Sequence, residues 1–92
     1  MFTGLVRYRA TLRRHEMSGR SGSLLLSLSR PPDWEDVRVG DSIAVNGCCL
    51  TVIDMDHGSL DFEAGSETLA RTLLGRLCVG QRVHIEQALR MG

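Results

Sequence analysis

Apolar and polar side chains alternate along most of this chain, in short stretches separated by glycine about every ten to fifteen residues. From Leu5 to Leu12, the residues Val6, Tyr8, Ala10 and Leu12 fall on one side of an extended backbone and Arg7, Arg9 and Thr11 on the other. That period of two predicts a half-buried strand. Met17-Ser18-Gly19-Arg20-Ser21-Gly22 is a turn built from residues that tolerate unusual backbone angles. Ser23 to Ser29 resumes the alternation, with Leu24, Leu26 and Leu28 set against Leu25, Ser27 and Ser29, so the two segments are expected to pair as a hairpin. Pro31-Pro32 cannot donate to a sheet ladder, which makes Arg30 to Arg38 a connection that carries Trp34 as a lid or plug.

The second half contains an echo. Val39-Gly40-Asp41-Ser42-Ile43-Ala44-Val45 and Val79-Gly80-Gln81-Arg82-Val83-His84-Ile85 share a hydrophobic-Gly-polar-polar entry into an alternating stretch, as two glycine turns feeding two strands would. Asn46-Gly47 is a tight-hairpin pair and predicts a strand over Cys48 to Asp54. His57-Gly58 turns the chain into Leu60, Phe62 and Ala64. The single helical stretch is Ser66 to Leu74, with Ser66 as N-cap, Glu67 in the first turn and Gly75 as the stop. Six strands and one short helix are too little material for two full sheets. The expected fold is all-β, a closed six-stranded antiparallel Greek-key barrel with one short α-helix, because closure removes free edges.

Composition narrows the function. At 92 residues the chain is one domain, and 42% hydrophobic residues support a small core without metal or disulfide staples. Eleven basic residues, all arginine, balance eleven acidic ones, so there is no bulk attraction to polyanions. The excess of Arg7, Arg9, Arg13, Arg14 and Arg20 over Glu16 has only Tyr8 nearby as a stacking aromatic, and a solvated strand face explains it better than a nucleic-acid partner. No apolar run reaches the roughly 18 residues of a membrane span and the start lacks a secretory pattern, so the chain is expected in the cytoplasm with no membrane partner. Three cysteines, Cys48, Cys49 and Cys78, do not make a disulfide framework, and the absence of two-residue ligand spacings leaves no expected metal. His15 and His57 are expected to be solvated in turns, with His84 facing outward.

Two groups of residues could carry chemistry. Ser42, Ala44, Asn46, Cys49 and Thr51 place small polar side chains on adjacent strands, where a flat ligand could reach the backbone; they also fit plain outward-facing strand positions. Glu67 and Thr68 near the helix start could bond a polyol, although capping alone explains Ser66. No histidine lies close in sequence to Cys48 or Cys49, so both thiols read as small core or wall residues.

Met1-Phe2-Thr3-Gly4-Leu5-Val6, Asn46-Gly47-Cys48-Cys49-Leu50-Thr51-Val52, Glu67-Thr68-Leu69 and the run from Leu74-Gly75 through Gly80, Val83 and Glu86 occur together, in order, from Met1 to Met91. This string resembles the N-terminal lumazine-binding repeat of the riboflavin synthase family (alpha chain). The resemblance implies that residues 1–92 are a single lumazine-binding barrel, the first of two in a normal chain, and that the two-barrel protein is a homotrimer requiring no cofactor. It also implies an enzyme that dismutates two 6,7-dimethyl-8-ribityllumazine molecules to riboflavin and 5-amino-6-ribitylamino-pyrimidinedione by passing a four-carbon unit between them. Each barrel would hold one lumazine or riboflavin in a shallow pocket. Carried onto this chain, Phe2, Ser42 and Cys49 would stand near the reacting centre. Thr3, Gly4, Val6, Ala44, Thr51, Ala64, Gly65, Glu67 and Thr68 would bind the ligand, the last two through ribityl hydroxyls.

The sequence ends at Gly92, before the Gly-Gly-His stretch and second barrel with which the family continues; His84 stands where the family has asparagine, and Gly65-Ser66 where it has a bulkier pair. A single barrel is therefore expected to be inactive or weakly active alone and to pair with itself as a homodimer. A non-catalytic, antenna-type flavin- or lumazine-binding module would share the same pocket, and an oligonucleotide-binding barrel would instead show salt-sensitive affinity for single strands.

Overall fold

The computed structural model describes residues 5–18 and 22–88. Its elements are β1 (Leu5–Met17), β2 (Leu24–Ser29), β3 (Ser42–Val45), β4 (Cys48–Met55), β5 (Ser59–Ala64), α1 (Ser66–Arg71), a 3-10 turn (Leu74–Arg76) and β6 (Arg82–Ala88). The strands close in the order β1-β2-β5-β4-β3-β6, every neighbour antiparallel, which is the expected six-stranded Greek-key barrel.

Closure depends on two strands that serve two partners each. β1 pairs with β6 over Leu5–Thr11 and with β2 over Leu12–Met17, and it bulges between Leu12 and Arg14 where it changes partner. β4 does the same, pairing with β3 up to Thr51 and with β5 from Val52, with its bulge between Val52 and Asp54. A bulge adds bend and twist, which a strand needs to turn a barrel corner. Arg13-Arg14 interrupts the alternation at that bend, so β1 continues to Met17, past the expected end at Leu12.

The sequence echo is the visible part of an internal twofold that exchanges β1 with β4, β2 with β5 and β3 with β6. Gly40 and Gly80 have φ of 96° and 95°. Gly40 N–H donates to Val52 O at 2.8 Å and Gly80 N–H to Leu12 O at 2.7 Å. Val52 and Leu12 N–H return bonds to Asp41 O and Gln81 O at 2.9 and 2.8 Å. Asp41 Oδ2 accepts from Arg38 N–H at 2.9 Å, and Gln81 Oε1 accepts from Cys78 N–H at 3.1 Å. The mates meet where β2 and β5 pair at Ser27 and Asp61, joined by a 2.7 Å hydroxyl-to-carboxylate bond, and where β3 and β6 pair at Val45 and Ile85.

Inward residues from all six strands fill the interior: Leu12, Leu24, Leu28, Val45, Leu60, Phe62, Val83 and Ile85 have no exposed surface, and Val52 of β4 is 1% exposed. Because β2 and β5 are antiparallel neighbours, the connections leaving them close opposite ends. One end is plugged by Trp34, wholly buried and edge-on to Tyr8 at 5.7 Å. Tyr8 hydroxyl donates to Asp33, and the Arg30 guanidinium ties the connection down by donating to Trp34 O, Glu35 O and Asp56 O. The other end is covered by α1 and the 3-10 turn through half-buried Leu69 and buried Leu74.

The helix differs from expectation. It stops at Arg71, with Thr72 as C-cap, and Gly75 lies in the separate 3-10 turn. Gly65, with no side-chain capping bond, is the N-cap, and Ser66 is the first helical residue. His15 also departs: it sits on β1, half-buried, with Nε2 3.1 Å from Leu74 O, so it straps β1 to the 3-10 turn. Among the described residues no helix is long and apolar enough to cross a membrane.

Candidate functional site

The Asn46-Gly47 turn has positive φ at both positions, 48° and 83°, the conformation whose twist matches a two-residue hairpin. It sets β3 against β4 with Ser42 opposite Thr51 and Ala44 opposite Cys49. Ile43, Val45, Leu50 and Val52 take the inward positions and are buried, so the other four side chains stand on the outer face. Ser42, Cys49 and Thr51 are exposed; Ala44 is covered, at 5% exposure, yet stands apart from the core cluster. The interior is close-packed with large side chains and leaves no room for a heterocycle, so a flat ligand has only the outside of the barrel to lie on. Outward-facing strand positions and pocket wall are one and the same here. Two rungs of small side chains make a shelf of roughly 5 by 7 Å, the footprint of one to two fused rings.

The register that opposes Val52 to Phe62, continued along β4 and β5, brings Gly65 beside Cys49, so the start of α1 borders this shelf. Glu67 is largely exposed and its carboxylate is 3.1 Å from Arg71, one turn along the helix. Thr68 is half-buried. Ala64 is 1% exposed and belongs to the core, so its methyl group is not brought to the shelf. Phe2, Thr3 and Gly4 lie outside the described residues; Val6 pairs with Gln87 in β1, and its side chain is likewise outside what is described.

The adjacent cysteines occupy opposite faces and differ chemically. Cys48 points toward the core, half-buried, and burial first, then the neighbouring Cys49 charge, push its thiol above the usual cysteine range. A raised pKa lowers the thiolate fraction, so Cys48 is the poorer nucleophile. Cys49 is exposed on the shelf, where a planar electrophile would lie. Among the described residues no three His, Cys, Asp or Glu side chains gather as metal ligands would.

A separate groove of about 450 Å³ opens at the barrel end next to the shelf, between the Val45–Cys48 turn and the strap Arg71–Leu74. Sequence reasoning missed it because the helix was expected to continue to Leu74; it ends at Arg71, Thr72 is extended, and the chain re-enters a 3-10 turn at Leu74. It also missed the seam that fixes the shelf's edge. Asn46 N–H donates to His84 O at 2.7 Å and His84 N–H to Asn46 Oδ1 at 2.8 Å, which locks the hairpin tip onto β6. The sequence reads Asn46 both as a turn residue and as one of the small polar side chains near a flat ligand; its Oδ1 instead serves β6, and nothing local announces a partner so distant along the chain.

Residues 3–88 match the family described as lumazine binding domain. The chain is 37% identical to riboflavin synthase of Bacillus subtilis over 89 residues, covering 97% of this chain and 40% of that protein. It is 41% identical to riboflavin synthase of Mycobacterium bovis over 96 residues, covering all of this chain and 45% of that one. A 57-residue stretch, 62% of this chain and 26% of the relative, is 46% identical to riboflavin synthase of Photobacterium phosphoreum. The chain thus spans less than half the length of these relatives.

Proposed function

Because this chain belongs to the lumazine binding domain family, we propose that it binds 6,7-dimethyl-8-ribityllumazine and riboflavin on the outer face of β3 and β4, as one half of a riboflavin synthase active site. The observation that carries this reading is the outward shelf of Ser42, Ala44, Cys49 and Thr51 on a barrel whose interior is full. Small side chains let the ring system approach the strand backbone, whose polar groups can read the ring edge. Glu67 and Thr68 border the shelf and offer an acceptor and a hydroxyl to a ribityl chain.

The reaction joins two bound rings: one lumazine gives a four-carbon unit to the other, leaving riboflavin and the ribitylamino-pyrimidinedione. A single shelf holds one ring, so the second substrate comes on a second barrel facing the first, and holding the two rings face to face removes most of the entropic barrier. Cys49 and Ser42 are the groups placed to add to, or hydrogen-bond, the electron-poor ring while a ring methyl group loses its proton. As an isolated barrel, residues 1–92 bind without turning over and pair as a homodimer with the two shelves facing each other.

Fluorescence titration with riboflavin, run beside the mass in solution, tests this. Saturable quenching at one ligand per chain supports the reading. Absence of quenching with a folded, cooperatively melting chain overturns it. Recovery of lumazine dismutation on adding a C-terminal barrel separates the enzymatic role from a purely ligand-carrying one.

A further inference from the structure

The net charge of zero hides a strong asymmetry around the barrel. On the outer wall of β1 and β6, Arg9 faces His84 and Thr11 faces Arg82 across the strands, with Arg7 opposite Glu86. Only the last of these forms an ion pair, at 3.6 Å; among the described residues Arg9 and Arg82 have no acidic side chain within ion-pair distance. The outer wall of β4 and β5 is the reverse. Asp54 faces Asp61 across the strands, Glu63 is exposed, and residues 48–65 contain no arginine. Asp61 accepts from Ser27 hydroxyl, and among the described residues no ion pair joins this wall to an arginine; Arg14, paired with Glu16 at 2.9 Å and near enough to Asp61 to feel its charge, marks the seam between the two walls. Like charges directly opposite one another destabilise a sheet. Asp54 and Asp61 are such a pair on the acidic wall, a cost that a partner of opposite sign would remove; on the basic wall Arg9 and Arg82 lie diagonally across the strands without an acidic partner among the described residues.

In the order β1-β2-β5-β4-β3-β6, the β1–β6 wall and the β4–β5 wall lie on opposite sides of the barrel. We propose that they bind each other in neighbouring copies of this chain, basic wall to acidic wall, in a head-to-tail contact separate from the ligand shelf. Such a heterologous contact does not close on itself, so copies add in a row. The complementarity is present within one sequence, which is the argument for a second copy. A single-stranded nucleic acid would need exposed rings to stack on, and among the described residues the outward positions of β1 and β6 include no Phe, Tyr or Trp; Tyr8 takes the inward face and packs edge-on against Trp34. The shorter molecular extents, 25 and 20 Å, limit the contact to roughly 1,000 Å² in total, the size of a weak and reversible interface. Exposed charge pairs contribute little singly and are screened by salt, so the contact belongs to low ionic strength.

Sedimentation velocity on the whole chain tests this at about 0.01 M and about 1 M salt, where the screening length falls from about 30 to about 3 Å. At low salt the average mass should climb with protein concentration without a plateau; at high salt it should fall to a constant value. The double variants R9Q/R82Q and D54N/D61N should each lose the climb. Mixed in equal amounts at low salt, they should associate with each other, because the acidic wall kept by R9Q/R82Q meets the basic wall kept by D54N/D61N. A mass that ignores salt, a climb that survives in either variant, or a mixture that stays apart overturns the proposal. So does binding of an oligonucleotide at low salt by a chain that shows no concentration-dependent mass. Riboflavin quenching is read on the same samples, so a failure here is distinct from a failure at the shelf.

Discussion

The outer face of β3–β4 and the outer face of β6–β1 are the same backbone twice. Under the internal twofold the rung Ser42–Thr51 corresponds to Arg82–Thr11, and the rung Ala44–Cys49 to His84–Arg9. The glycine turns leading into the two faces agree within 1° in φ and within 0.1 Å in the bonds to Val52 O and Leu12 O. One face has small side chains and a threonine; the other has arginine, histidine, arginine and a threonine. The difference teaches that one backbone can carry two surfaces of opposite character, and under the proposed function side-chain volume is what reserves the β3–β4 face for the ring. A second difference lies in the closures. The Pro-rich connection plugs its end with one large indole, whereas the longer connection spreads the task over α1, the strap and the 3-10 turn, leaving a groove and a shelf border.

The unequal closures give the largest expected effect. Trp34→Ala removes a fully buried indole and should cost roughly 3–5 kcal/mol, while Leu69→Ala, half-buried under the other closure, should cost below about 2 kcal/mol. Denaturant unfolding measures both, and equal losses would mean that the helix is as much a plug as the indole. The unequal shelves come next. Cys49→Arg, which installs the side chain of the twofold mate, should weaken riboflavin binding at least tenfold with little change in melting temperature, because it fills an exposed surface position. Undiminished affinity would place the ligand elsewhere. Cys49→Ser should leave affinity nearly unchanged if the thiol only lines the wall.

The equal backbones are sharpened by Gly40→Ala and Gly80→Ala. Neither glycine has a neighbour within 4 Å of an added Cβ, so each substitution should cost only the strain of positive φ, about 1–2 kcal/mol, and the two values should agree. A clear disagreement would break the twofold as an energetic statement. The smallest effect is at Asp56, in the β4–β5 turn of the second half. Its carboxyl is held below the usual aspartate range chiefly by the Gly58 N–H, then by the Ser59 hydroxyl. A depressed folded-state pKa contributes stability that is present above the unfolded value and lost as pH falls through the folded one. Asp56→Asn should therefore lie furthest below wild type near neutral pH, converge with it as the pH falls, and so flatten the acid limb of the stability curve slightly, as melting temperature against pH will show.

Much of this was legible in the residues. Alternation located all six strands, the paired valine-glycine turns announced the repeat, and Asn46-Gly47 set the hairpin that carries Ser42, Ala44, Cys49 and Thr51. Where legibility failed, the deciding contacts were distant. The end of α1 at Arg71 was missed because Thr72, Leu73 and Leu74 are acceptable helix residues, and the barrel mouth they cross is invisible in a local window. His15 was misplaced for the same reason, since its partner is the carbonyl of Leu74.

The sequence by itself determined which faces are apolar, where the chain can turn, and that nothing but a closed barrel uses six short alternating strands economically. Those are local properties, since periodicity and glycine placement act within a few residues. Only the tertiary structure decided which strands are neighbours, that β1 and β4 bend to serve two partners, and that the filled interior sends any ligand outside. It also put Arg7 and Arg9 on the side of the barrel away from Asp54, Asp61 and Glu63. Closure of the barrel sets those relations, and closure is a property of the whole chain, in which residues far apart in sequence must share one core.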